Sequence, residues 1–156
     1  MINQLPSDKS NKKVLDAGCA AGWYTSQLVK LGSDVTATDI SPNMVEATKR
    51  RIGDNAEVLC LDIENKLPFE DESFDLIVSS LVLHYIKDWS KPFSEFRRML
   101  KPNGKLLFSV HHLFMDIKLS KNDDSFSNEL IIDQWEREGK LIVVPFYRRP
   151  LHEIMN

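Results

Sequence analysis

A chain of 156 residues, 42% apolar and with a formal charge of −3, is one domain by size and carries enough apolar material for a core. The mild acidity argues against a nucleic-acid partner, which demands a basic face. Cys19 and Cys60 make no disulfide framework, and the histidines and cysteines show no metal-ligand spacing. No apolar run reaches bilayer length, so no membrane partner and a reducing, cytoplasmic setting are expected.

Residues 1–12 are polar, hold no apolar signal core and are expected to be partly disordered. Residues 14–22, Val-Leu-Asp-Ala-Gly-Cys-Ala-Ala-Gly, then pass from an apolar run into a turn of small residues. A helical stripe of Tyr24, Leu28 and Leu31 follows, stopped by Gly32. Strand, tight turn and helix are the first part of a nucleotide-binding βαβ unit. Gly18 and Gly22 let the backbone turn sharply against a ligand.

The dinucleotide fingerprint is not met, because Ala20 replaces the middle glycine and Trp23 displaces the third. No Lys-Ser/Thr pair follows Gly22, which excludes a P-loop. Asp16 stands where a diphosphate would lie against the helix N-terminus. A carboxylate there repels phosphate and attracts an ammonium group. An adenosine ending in an amino-acid zwitterion fits that charge pattern, and S-adenosylmethionine is the obvious example.

Residues 34–39 are β-branched and read as a second strand. It ends at Asp39, about twenty residues beyond the glycine turn, the spacing of an acid that holds a ribose. Ser41 and Pro42 open a helix as N-cap and first residue. Lys49, Arg50 and Arg51 fill its last turn and read as a dipole-matched, solvated end before Gly53. Residues 57–61 form the third strand, with Cys60 as a buried apolar filler and Asp62 and Ile63 just past its end. The acidic stretch of Glu64, Glu70, Asp71 and Glu72 reads as a surface turn.

Residues 73–80 run nearly continuously apolar, as a central parallel strand does. Residues 91–101 suit a helix with Phe93, Phe96 and Leu100 on one face. Lys101-Pro102-Asn103-Gly104 reads as a turn, and residues 105–110 as a fifth strand ending at His111 and His112. Residues 118–128 are a polar excursion, residues 130–138 suit a short helix with Ile131, Ile132 and Trp135, and residues 141–144 are β-prone. Tyr147 to Leu151 reads as the entry to a last helix.

From Val14 to Val110 the chain resembles the class I, Rossmann-like S-adenosylmethionine-dependent methyltransferases. It is most similar to the small-molecule group of ubiquinone and menaquinone biosynthesis, the methyltransferase type 11 domain. The resemblance rests on acidic-x-Gly-x-Ala-x-Gly at Asp16, Gly18, Ala20 and Gly22, on its spacing to Asp39, and on the Leu-Lys-Pro-Asn-Gly turn. It implies a three-layer, doubly wound, mostly parallel sheet in the order 3-2-1-4-5. The domain is expected to span 1–156, with a core at 12–112 and a variable excursion at 113–156.

The resemblance further implies a cofactor site of Asp16, Gly18, Cys19, Ala20, Gly22, Asp39, Ile40, Met44, Asp62, Ile63, Ser79 and Leu81. Ile40 and Met44 pack on adenine, and Asp62 accepts from its exocyclic amine. Residues 79–84 line the methyl-transfer end. His84 and His112 are candidates for taking a proton from the acceptor, with a locally hydrogen-bonded loop histidine as the plain alternative for His84. His111 is expected to point away from the substrate, and Tyr85, Trp89 and Trp135 to pack as core.

The family's final helix and last two strands are expected to be truncated, together with the lid before the first strand. The fifth strand then offers an edge to a second copy, as a homodimer, or to residues 141–144. The expected function is methyl transfer to a small-molecule O, N or C acceptor. The competing readings are a cofactor-binding module without turnover and a nicotinamide-dependent oxidoreductase. Asp16 and Trp23 count against the latter.

Overall fold

The computed structural model of the chain describes residues 11–111, 119, 128–137 and 139–155. Residues 1–10, His112 and nearly all of the polar excursion lie outside that set. The chain divides into two compact units. The first comprises Met1–Ser80 and Trp89–Ser109, and the second Leu81–Asp88 and Val110–Asn156. Residues 81–88 group with the later segment.

The first unit holds strands β1 (Lys13–Ala17), β2 (Asp34–Asp39), β3 (Glu57–Cys60), β4 (Phe74–Ser80) and β5 (Leu100–Ser109). Helices α1 (Trp23–Lys30), α2 (Pro42–Ile52) and α3 (Ser90–Met99) connect them. The sheet order is β3-β2-β1-β4-β5 and every pair is parallel, as expected. The reason lies in β1 and β4. Val14, Leu15, Ala17, Ile77 and Val78 are all fully buried. A strand apolar on both faces is stable only at the centre of a sheet covered on both sides. Leu15 pairs with Ile77 and Val14 with Leu76, which aligns the two strand ends where the site lies.

Val14, Val35, Leu76 and Val78 pack with Leu28 of α1 into one cluster. Cys19, Ala37, Val45 and Val58 form another, which ties the glycine turn to α2. Ser41 caps α2 and Pro42 opens it, as expected. Trp89, Phe93, Phe96 and Phe108 interlock edge-on or tilted, with ring centroids 5.6–6.3 Å apart.

The Lys-Pro-Asn-Gly stretch is a bulge in β5 rather than a connection before it. Phe74 pairs with Leu100, and pairing resumes between Leu76 and Lys105. The extra residues loop out, with Asn103 at φ 67°. Cys60 is exposed, not a buried filler. It is the last residue of β3, an edge strand of the sheet.

The second unit corrects two expectations. Residues 130–138 do not form a helix. Strand β6 (Glu129–Arg137) pairs antiparallel with β7 (Lys140–Arg148) in a sheet of their own, so residues 141–144 extend β6 and not β5. The consecutive Leu130, Ile131 and Ile132 favour extended backbone, and cross-strand partners such as Trp135 and Ile142 override a weak helical period. Gly139, at φ 72°, lies in the connection. Trp135 and Tyr85 are about half exposed rather than core. Arg148 is fully buried and pairs with its cross-strand neighbour Glu129 at 3.2 Å. Helix α4 (Leu151–Met155) ends the described chain.

Candidate functional site

The C-terminal ends of β1, β2 and β3 each deliver one carboxylate. Asp16 comes from within β1 and is 1% exposed. The Thr25 hydroxyl donates to its Oδ2 at 2.6 Å, and the Thr25 backbone N–H, in the first turn of α1, also reaches the carboxyl. Burial outweighs these hydrogen bonds and pushes the Asp16 carboxyl up from 3.8 to about 6. A cationic group brought beside it restores the ionised form.

The turn that follows is held by its backbone. Gly18 and Cys19 both donate N–H groups to the Thr38 carbonyl at 2.8 Å, hooking the turn onto β2. Gly22 donates to the Cys19 carbonyl at 2.8 Å and opens α1 at φ 75°. A Cβ on Gly22 would sit 2.7 Å from Cγ2 of Thr48, so α2 excludes any side chain there. Ala20 adopts φ 47°, a left-handed conformation that an L residue resists. Its N–H donates to Asp39 Oδ2 at 2.8 Å, and its carbonyl accepts from the Thr48 hydroxyl at 2.7 Å. The Cys19 thiol lies buried beneath, 3.6 Å from Thr48 Oγ1, and burial pushes it up to about 12. It packs with Ala37, Val45 and Val58.

Asp39 thus has one oxygen on the Ala20 N–H and the other on the Ser41 N–H at 2.9 Å. Each carboxylate oxygen retains a lone pair for a further donor. Beside it, Ile40 is 66% exposed and Met44 39% exposed, two apolar side chains laid open at the mouth of the turn. Asp62 anchors its own turn, accepting from the Glu64 N–H and from the Asn65 side chain. Ile63 is buried. Ser79 is fully buried in β4, and its hydroxyl has no hydrogen-bond partner among the described residues.

The second unit holds Leu81, exposed and at φ 57°. It also holds His84, 2% exposed, which stacks on His111 with ring centroids 4.0 Å apart and meets Phe146 edge-on. Neither ring nitrogen of His84 has a hydrogen-bond partner among the described residues. Burial, with a contribution from His111, lowers His84 to about 4. It is neutral at pH 7 and a weak base. His112 lies outside the described residues.

Sequence reading missed Thr25 and Thr48. The signal for Thr48 was available: with Val45 and Ile52 it occupies the buried stripe of α2, a polar residue on an apolar face.

The donor set of the first unit suits a nucleoside carrying an amino-acid tail. Asp39 offers acceptor lone pairs, Ile40 and Met44 an exposed apolar surface, and Asp16 a buried carboxyl. The positive-φ turn from Gly18 to Gly22 presents peptide groups instead of side chains. No part of this set would welcome a diphosphate. Among the described residues, no group of three or more His, Cys, Asp or Glu side chains is placed to hold a metal ion. The fold defines a Rossmann-like, doubly wound domain.

Comparison with known proteins narrows the class. A family model described as a methyltransferase domain matches residues 15–108. A malonyl-[acyl-carrier protein] O-methyltransferase from Erwinia billingiae is 40% identical over 103 residues, covering 65% of this chain and 40% of that protein. The biotin biosynthesis bifunctional protein BioHC of Cellvibrio japonicus is 34% identical over 110 residues, covering 70% of this chain and 22% of that one. This chain therefore spans two fifths or less of the length of these two relatives. The crystal structure of an S-adenosylmethionine dependent methyltransferase from Mesorhizobium loti superposes with a TM-score of 0.75 at 23% identity, covering 99% of this chain and 75% of that one. The chain belongs to the methyltransferase domain family, of the class I, S-adenosylmethionine-dependent type. S-adenosylmethionine is the cofactor of that class. The ubiquinone-like subgroup receives no specific support from these matches.

Proposed function

We propose that this chain transfers the methyl group of S-adenosylmethionine to a small acceptor that is already anionic at neutral pH, a carboxylate above all. The cofactor supplies an electrophilic methyl on a sulfonium with a neutral thioether as leaving group. The protein binds and orients. Asp39 holds the ribose, Ile40 and Met44 cover the adenine, and Asp16 faces the ammonium. One observation carries the cofactor half of this reading: the carboxylate of Asp39 is fixed by two backbone N–H groups beside two bare apolar side chains.

The acceptor half rests on the name of a relative. A hydroxyl or ammonium acceptor must lose a proton, which calls for a base with a pKa near the working pH. A carboxylate needs no base. The Erwinia relative is named for a malonyl acceptor, whose free end is such a group. The test is a thermal-shift panel with S-adenosylmethionine, S-adenosylhomocysteine, NAD and ATP, followed by methyl transfer to short dicarboxylic acids and their thioesters. Stabilisation by the two sulfur nucleosides alone, and turnover that stays level from pH 6.5 to 8, supports the reading. Stabilisation by NAD alone sinks it. Binding without turnover on any acceptor leaves a cofactor-binding module.

A further inference from the structure

Thr48 is polar where α2 otherwise packs apolar side chains, and both its hydroxyl and its methyl meet the glycine turn. Its hydroxyl donates to the Ala20 carbonyl at 2.7 Å, and its methyl fills the space where a Gly22 side chain would go. Ala20 is the one residue between Gly18 and Gly22 that must hold a positive φ with a Cβ attached. From the other side, its N–H is bonded to Asp39.

We propose that Thr48 is a positioning residue for the cofactor turn. Its hydroxyl latches Ala20 in the left-handed conformation and so keeps the Ala20 N–H aimed at Asp39, the carboxylate assigned to the ribose. The physical argument is local. An alanine at φ 47° lies uphill of its right-handed conformation. A hydroxyl-to-carbonyl hydrogen bond is of a size to offset that penalty. Without the latch, the free turn relaxes, the Ala20 N–H leaves Asp39, and a ligand must restore both on binding. Glycine at position 20 adopts the same φ without penalty, so the latch matters because an alanine stands there. The inference rests on the cofactor reading above for its consequence, but not for its geometry.

Thr48→Ser keeps the hydroxyl and Thr48→Ala loses it, while both lose the methyl, so their difference isolates the hydrogen bond. Two quantities are measured on the full chain: the Kd for S-adenosylhomocysteine by calorimetry, and hydrogen exchange at the Ala20 amide without ligand. Thr48→Ala is expected to bind roughly fivefold more weakly than Thr48→Ser and to exchange faster by a similar factor. In an Ala20→Gly background, that ratio of Kd values should shrink to under about twofold. Equal Kd and equal exchange for the Ser and Ala variants overturn the latch. An undiminished ratio in the Ala20→Gly background overturns its link to Ala20. Should the parent protein bind no S-adenosylhomocysteine, the cofactor reading fails, and the exchange measurement alone decides the latch.

Discussion

Asp16 and Asp39 are both strand-end aspartates, yet their surroundings differ. Asp16 is buried, and its folded pKa of about 6 lies above the ordinary 3.8. A carboxyl raised in this way stabilises the fold below about pH 4, and that contribution is lost as pH rises through 6. Asp16→Asn should therefore flatten the change in stability between pH 4 and 7, measured by urea unfolding at a series of pH values. Cofactor binding has the reverse sign, because an ammonium needs the ionised form. Affinity for S-adenosylmethionine should rise about tenfold per pH unit up to 6 and level off above it, as read by calorimetry. An affinity independent of pH from 5 to 7 would remove Asp16 from the ammonium site. Asp39 instead holds two backbone N–H groups. Asp39→Ala should cost about 1–2 kcal/mol of stability and abolish most of the cofactor-dependent thermal shift. A shift of unchanged size would take Asp39 out of the site.

Among the elements, α3 does more than cover the sheet. Arg98 donates to Glu95 and Asp71 and to the carbonyls of Leu67 and Phe69, and Glu95 in turn accepts the Leu67 N–H. The acidic surface turn is thus fastened to α3. The Arg98 guanidinium holds the Glu95 carboxyl down at about 2. A depressed carboxyl stabilises above its unfolded pKa and loses that contribution as pH falls through the folded one. Arg98→Ala should lower stability by about 2 kcal/mol at pH 7, and by progressively less toward pH 2, in denaturation midpoints. It should also open the turn between Leu67 and Asp71 to protease. In the second unit, β6 and β7 leave Leu130, Ile132, Leu141 and Val143 half or more exposed on one face. Such a hairpin is marginal alone.

For the whole molecule, the measurable consequence of the cofactor reading is a ligand-dependent stability. A ligand at one hundred times its Kd contributes about 2.7 kcal/mol to a state that alone binds it. In a chain of this size that is a Tm rise of roughly 5–10 °C. S-adenosylhomocysteine should produce it, with hydrogen-exchange protection concentrated at the ends of β1 and β2. A comparable rise with ATP would mean that phosphate, and not an amino-acid tail, is what the turn accepts. Among the described residues, no helix is long and apolar enough to cross a membrane.

The sequence by itself determined the five-stranded sheet and its order. Near-continuous apolar runs at 14–17 and 74–78 have one stable home, the middle of a parallel sheet. Asp16, Gly18, Gly22 and Asp39 are close enough in sequence for short-range geometry to bring them together. Other features were set by what each segment meets in space. The antiparallel pairing of 129–137 with 140–148, the half-exposed rings of Tyr85 and Trp135, the bulge in β5 and the exposure of Cys60 depend on what each segment packs against. So do the charge state of Asp16, the stacking of His84 on His111 and the contact of Thr48 with Ala20. Burial and hydrogen bonding are properties of neighbours in space, which no local period encodes.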